Sequence, residues 1–331
     1  MVSIISNIYR GNFIESRHES IFVIKDISGK NLLSNSRNNI IYPRSAIKIF
    51  QALPFVNSEA KKIFNLNEKD IAISCSSHSG EKKHINVLKN WLKKINIKPK
   101  KLLCGIHNPL NEKSSNKLLL SGERPSQIHN NCSGKHLGII SGCLAKKINI
   151  NNYTFINHPY QKLIMKTLEN FMESKIIKKN IGTDGCSLPQ FAFPIENISL
   201  SMINLIREKD KSNEYSSSIN TIINSIIKYP YLIGGNNKFD SEVIKVTKGR
   251  IFCKGGAEGV LLFADFKKKI GGAIKICDGN NRAIPSITMK IFSRLKIISK
   301  QEKNKLSSWE NTLIFNHAKK NVGKIISVLK V

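Results

Sequence analysis

Ser45-Ala46-Ile47-Lys48 sets a hydroxyl and an amine three residues apart at the start of a stretch with helical spacing, so one turn would bring the lysine beside the serine. A serine hydroxyl attacks an acyl carbon only when a base takes its proton, and a partly desolvated lysine can be that base. A helix N-terminus would add positive potential where the oxyanion forms. The pairing alone is not distinctive. Ser-x-x-Lys also occurs at Ser58 with Lys61, Ser79 with Lys82, Ser114 with Lys117 and Ser293 with Lys296, and an N-cap serine ahead of a surface lysine reads the same way.

Other polar segments, most of them containing glycine, stand in series with it: Ser76-Ser77-His78-Ser79-Gly80-Glu81, then His129-Asn130-Asn131-Cys132-Ser133-Gly134-Lys135-His136, then Asp184-Gly185-Cys186. Lys254-Gly255-Gly256-Ala257-Glu258-Gly259 and Lys275-Ile276-Cys277-Asp278-Gly279 extend the series toward the C-terminus. The seven cysteines are odd in number and lack dense spacing, which excludes a disulfide framework and reads as free thiols. Cys132 and Cys186 lie in polar motifs and are candidates for site chemistry; the other five have apolar or strand-like neighbours. Lys254-Gly255-Gly256 echoes the Lys-Thr-Gly strand of β-lactamases and reads as a pocket edge.

The elements that must position these residues follow from periodicity. Residues 21–25 read as a strand closed by a turn at Ser28-Gly29, and Ser45 to Leu53 as a helix entered through Pro43 and ended by Pro54. Ile71 to Ile73 reads as a short buried strand or a helix end. Helices are expected over Glu81–Lys94, from Leu137 to Leu144, over Gln161–Ile177 and over Ile284–Leu295. Val243–Val246, Arg250–Cys253, Gly259–Asp265 and Gly271–Ile276 read as an antiparallel meander. The expected class is α+β: an antiparallel sheet built from N- and C-terminal strands with flanking helices, and a central helical lobe over about residues 85–230.

Taken in order, the motifs resemble the bacterial L-asparaginase II family, the rhizobial type unrelated to the threonine-dependent enzymes. Arg10-Gly11, Glu15-Ser16 with His18, and Asn281-Arg282-Ala283 belong to the match, which runs over roughly residues 8–290. The resemblance implies one catalytic domain over residues 1–331 with a fold like the serine β-lactamases and glutaminases, and hydrolysis of L-asparagine to L-aspartate and ammonia. It implies two Ser-Lys pairs, Ser45 with Lys48 and Ser77 with Lys275, with Tyr42 near the nucleophile. It also implies a homodimer, and a zinc ion at Cys132, Lys135, Asp184 and Cys186 that modulates the reaction.

Two thiolates and a carboxylate suit zinc, whereas a lysine amine must first lose its proton, so occupancy would depend on pH. The alternative is that the thiols and Lys135 shape the substrate pocket through hydrogen bonds. Arg44 is a candidate for the substrate carboxylate and Asp184 or Glu258 for its ammonium; Cys132 and His78 complete the candidate substrate contacts. His78 and His136 read equally well as hydrogen-bonded scaffolding. A further family cysteine falls at Val260, a departure that questions a thiol on that wall. A related glutaminase, amidase or β-lactamase-like hydrolase remains an alternative, because one methylene changes binding by only about 1 to 3 kcal/mol.

The net charge of +30, from 53 Lys and Arg against 23 Asp and Glu, raises the further alternative of a nucleic-acid-binding protein. The excess is mostly lysine spread over surface positions such as Lys82-Lys83 and Lys267-Lys268-Lys269. Base-reading surfaces favour arginine and interleaved aromatics, so a solvated face is the expectation and nucleic acid is not an expected partner. No apolar run approaches a membrane span and no secretion signal opens the chain, so a cytoplasmic location with no membrane partner is expected.

Overall fold

A computed structural model describes residues 2–330, with side chains throughout except at Glu214. The chain divides into two units, one of Met1–Ala46, Phe193–Ile206 and Glu242–Val331, the other of Ile47–Ala192 and Arg207–Ser241.

The first unit carries an eight-stranded antiparallel sheet. Seven strands form its path: β1 (Ser3–Arg10), β2 (Phe13–Asp26), β3 (Ile251–Gly256), β4 (Val260–Asp265), β5 (Ile270–Ile276), β6 (Asn311–Phe315) and β7 (Asn321–Lys330), in the order β6-β7-β1-β2-β5-β4-β3. A short strand, Asn31–Ser34, adds to β2. N- and C-terminal strands thus share one sheet, and the class is α+β as expected. In β2 exposed and less exposed residues alternate near its start, where one face meets water, and give way to the buried run Phe22 to Lys25 where it pairs with β5. All six residues of β4 are buried. Helix Ile284–Arg294 packs on β1, β5 and β7, while residues from 195 onward reach the sheet through the Ser199 hydroxyl, which donates to the Val23 carbonyl at 2.9 Å.

One expectation changed in this unit. Residues 243–246 are not a strand but the end of a helix, Phe239–Val246; the β-branched run Val243-Ile244 is buried on one side of a helical turn, where packing overrides propensity. The meander therefore has three strands rather than four. The hairpin of β6 and β7 was not read from the sequence at all.

The second unit is helical. Its main helices are α1 (Lys48–Val56), α2 (Glu68–Ser74), α3 (Lys82–Lys94), α4 (Ser133–Ala145), α5 (Pro159–Met172) and α6 (Glu214–Lys228). The stretch at Ile71–Ile73 is helical, entered through a capping box in which Asn67 and Asp70 satisfy each other's backbone donors. Pro54 lies inside α1 instead of ending it. Pro159 opens α5 at a position where a missing N–H costs nothing. Helix α4 is the axis, buried from Ser133 through Cys143. Close approach there needs glycine: a Cβ on Gly134 would lie 2.1 Å from the Ile73 carbonyl oxygen, and one on Gly142 would lie 2.0 Å from the Tyr160 hydroxyl.

Candidate active site

Because Gly134 lets α4 rest on the end of α2, the residues before and after it come within reach of the segment that follows α2. Cys132 and Lys135 sit on the first turn of α4, and Ser76-Ser77 directly follows Cys75, the last capping position of α2. Lys48, the first residue of α1, is fully buried. Its amine donates to the Ser76 carbonyl at 2.5 Å, to the Ser77 hydroxyl at 3.1 Å and to the Cys132 sulfur at 3.2 Å.

The Ser77 segment is held by its backbone and by histidines. Ser77 N–H donates to Ile233 O at 2.9 Å, His78 N–H to Asn131 O at 3.3 Å, and the Ser79 hydroxyl to Gly234 O. His78 accepts from Gly80 N–H at Nδ1, so its Nε2 carries the proton and donates to Ser133 Oγ at 2.8 Å. Burial, reinforced by His84 and Lys48, keeps His78 neutral by pushing its pKa well below the usual value. His84 stacks between His78 and Tyr231, with ring centroids 5.3 and 4.9 Å away. Glu81 ties Tyr231 and Asn236 to the same segment at 2.8 and 2.9 Å. Sequence reasoning missed Glu81 and Tyr231 as supports; the only signal was the position of Glu81 at the end of the Ser-Ser-His-Ser-Gly run.

The second cluster lies beside the first. Cys132 Sγ, a carboxylate oxygen of Asp184 and Cys186 Sγ all lie within 4.8 Å of one another. Lys135 Nζ is 3.2 Å from Cys186 Sγ and 4.0 Å from Asp184 Oδ2. The hydrogen bond from Cys132 holds the Cys186 thiol well below its usual range, against burial and with help from Lys135, while Cys132 keeps its proton. Burial works against the Lys135 charge but is outweighed by Cys186, Cys132 and Asp184, which raise its pKa. The fold thus brings Lys48, Ser77, Cys132, Lys135, Asp184 and Cys186 together.

His136, one turn beyond Cys132, accepts the Tyr153 hydroxyl at Nδ1 over 2.6 Å, and Tyr153 in turn accepts Leu103 N–H. Nε2 of His136 has no hydrogen-bond partner among the described residues.

Ser45, Tyr42, Arg44, Glu258 and Lys275 belong to the first unit. Ser45 lies in a 3-10 turn, Arg44–Ile47, that leads into α1, so the expected helix start is a tighter turn than an α-helix. Arg44 has φ of 51°, a left-handed conformation that a non-glycine residue holds only under constraint. Gly256 supplies it: a Cβ there would lie 2.8 Å from the Pro43 carbonyl and 3.3 Å from Arg44 Cβ, so the Lys254-Gly255-Gly256 strand backs the turn that carries Ser45.

Lys275 Nζ donates to the carbonyls of Glu258 and Ile276 at 2.8 and 2.5 Å. Burial lowers its pKa, against Cys277, Glu258 and Asp278. Val260 stands opposite it on β4 and puts a buried apolar side chain there. Arg282 donates to His18 Nε2 at 2.8 Å, leaving His18 Nδ1–H for Asp278 at 2.5 Å, and so braces the loop after β5.

A model of the L-asparaginase II family matches residues 6–327. No curated protein sequence matches the chain. Among solved structures, a protein from Bacteroides dorei assigned as a beta-lactamase aligns at 8% identity and a TM-score of 0.39, covering 88% of this chain and 93% of that one. Among the described residues no helix is long and apolar enough to cross a membrane.

Proposed function

The chain belongs to the L-asparaginase II family, hydrolases acting on amides, and from that premise we propose that it converts L-asparagine to L-aspartate and ammonia by acyl transfer to a serine. The observation that supports a serine-lysine reaction most directly is the buried Lys48 amine, 3.1 Å from the Ser77 hydroxyl and one turn after Ser45. Ser45 is the nucleophile in this reading. Lys48, once neutral, takes its proton as the hydroxyl attacks the side-chain carbonyl; the proton then leaves with the amide nitrogen as ammonia, and water cleaves the ester. Ser77 relays protons between Lys48 and the leaving group, and Lys275, partly desolvated, serves as the second base.

One observation favours a second assignment, with Ser77 as nucleophile and Lys48 as its base: their direct contact. Against it, Ser77 N–H already donates to Ile233 O and is not available to an oxyanion. Arg44 pairs with the substrate carboxylate, Asp184 or Glu258 accepts its ammonium, and Tyr42 lies near the nucleophile. His78, committed at both ring nitrogens, holds the Ser77 segment in place.

The donor set of Cys132, Cys186 and Asp184 fits a zinc ion, since two sulfurs and an oxygen this close match a tetrahedral site, and Lys135 would complete it after losing its proton. Bound there, zinc would supply a positive charge that anchors the substrate. The thiols and Lys135 otherwise shape that wall by hydrogen bonds. The test is ammonia release from L-asparagine and L-glutamine side by side, with and without a chelator. Release from asparagine that a chelator weakens through KM supports the reading; release from glutamine alone overturns the substrate, and release from neither overturns the reaction.

A further inference from the structure

Away from these clusters, the second unit holds a cavity of about 540 Å³ walled by the exposed side of α3, the start of α2 and the turn after α6. On α3 the wall is Lys83, Asn86, Val87 and Asn90, spaced three, four and seven residues apart and hence on one face. Facing them are Lys69, Lys228, Tyr229 and Tyr231. Lys69 and Lys83 are arranged around rings rather than carboxylates. Lys69 and Lys228 Nζ lie 5.5 and 5.7 Å from the centre of the Tyr229 ring, and Lys83 Nζ lies 5.0 Å from that of Tyr231.

Charge compensation at this wall is incomplete. Lys228 pairs with Glu68, and Asp70, the one carboxylate lining the cavity, is 2% exposed and bound to Lys94 at 2.7 Å and to its own helix cap. Among the described residues Lys69 and Lys83 have no carboxylate partner. A cavity of this size, with uncompensated ammonium groups and the amides of Asn86 and Asn90, matches a ligand that carries a phosphate and a polar ring whose edge amides can hydrogen-bond.

The same wall is wired to Ser77. Tyr231 O–H donates to Glu81, His84 Nε2 contacts the Tyr231 carbonyl at 3.3 Å, and Ile233 O, two residues on, accepts Ser77 N–H. We propose that this cavity binds a nucleoside phosphate, with Lys69 and Lys83 on the phosphate and the amides of Asn86 and Asn90 on the edge of the base, and that its occupancy shifts the Ser77 segment. The coupling rests on the catalytic reading given above; the binding does not.

Calorimetric titration of the full chain with adenosine monophosphate, adenosine and inorganic phosphate tests binding independently of any reaction. The nucleotide should bind one per chain and more tightly than either fragment, and Lys69→Gln with Lys83→Gln should weaken it at least about tenfold. Lys267→Gln with Lys268→Gln, which removes the same charge from a distant turn, should leave it unchanged. A nucleotide that binds no better than phosphate, or one that both double variants weaken equally, would mean that only the general positive charge is at work and would overturn the site. Saturating nucleotide should also change KM or kcat for amide hydrolysis in the wild type and not in Lys69→Gln/Lys83→Gln. Binding with unchanged kinetics would overturn the coupling alone.

Discussion

Lowering the pH from about 7.5 to about 5.5 should cost the protein at least about 3 kcal/mol of folding stability through its buried histidines. Burial drives the pKa of His136 down to about 3 and that of His84 down to about 4, and places that of His78 well below the usual value. In the unfolded chain each returns to about 6.5. A depressed folded-state pKa contributes stability that is present above the unfolded value and is lost as pH falls toward the folded one, because the unfolded chain then binds protons the native state refuses. Over these two pH units His136 and His84 together account for about 3 kcal/mol, and His78 and the lowered Cys186 thiol act in the same direction. Native carboxylates add little until the pH is lower still. Urea denaturation at the two pH values reads the difference, and imidazole NMR identifies the groups. A change below about 1 kcal/mol, or native imidazole signals that titrate near 6.5, would refute the picture of three neutral histidines supporting Ser77 and Cys132.

Gly134→Ala should destabilise the helical unit by about 3 kcal/mol or more, since its Cβ would meet the Ile73 backbone, which cannot swing away; an unchanged urea midpoint would contradict the close approach. Cys132→Ser should raise KM much more than it lowers kcat, and added zinc should change the wild-type KM while hardly affecting the variant. A several-hundred-fold fall in kcat at unchanged KM would instead put Cys132 in the chemistry. Cobalt(II), a spectroscopic stand-in for zinc, should give a thiolate charge-transfer band that weakens as pH falls, because the thiols and Lys135 must lose protons to bind it, and that disappears in Cys186→Ser. A band that survives this substitution would move the metal elsewhere.

The three-strand meander was legible because glycine and lysine turns separate short alternating runs, and helix 284–294 because Pro285 and the apolar spacing agree. Short apolar runs were not. Ile71–Ile73 is too short for its period to decide, although the Asn67 and Asp70 capping pair ahead of it was a usable helix signal. Residues 243–246 alternate like a strand, yet the preceding residues and the packing of Val243 and Ile244 make them helical. In β7, Lys324 and Lys330 are exposed and only Ile325 and Ser327 are buried, too few positions to show an alternation. At the site, residue types were readable and partners were not. Lys48 meets Ser77 across 29 residues and Cys132 across 84, distances set by glycine packing of α4 on α2 and not by any local spacing.

In the proposed reaction a serine activated by Lys48 forms an acyl-enzyme with L-asparagine. The most direct measurement is ammonia release from asparagine by the wild type, Ser45→Ala and Ser77→Ala, each shown to be folded by circular dichroism, with mass spectrometry of enzyme quenched during turnover. The wild type should release ammonia, Ser45→Ala should release none, and an acyl adduct should sit on the peptide that contains Ser45. Wild-type turnover by Ser45→Ala, or an adduct on Ser77 instead, would contradict the assignment of the nucleophile.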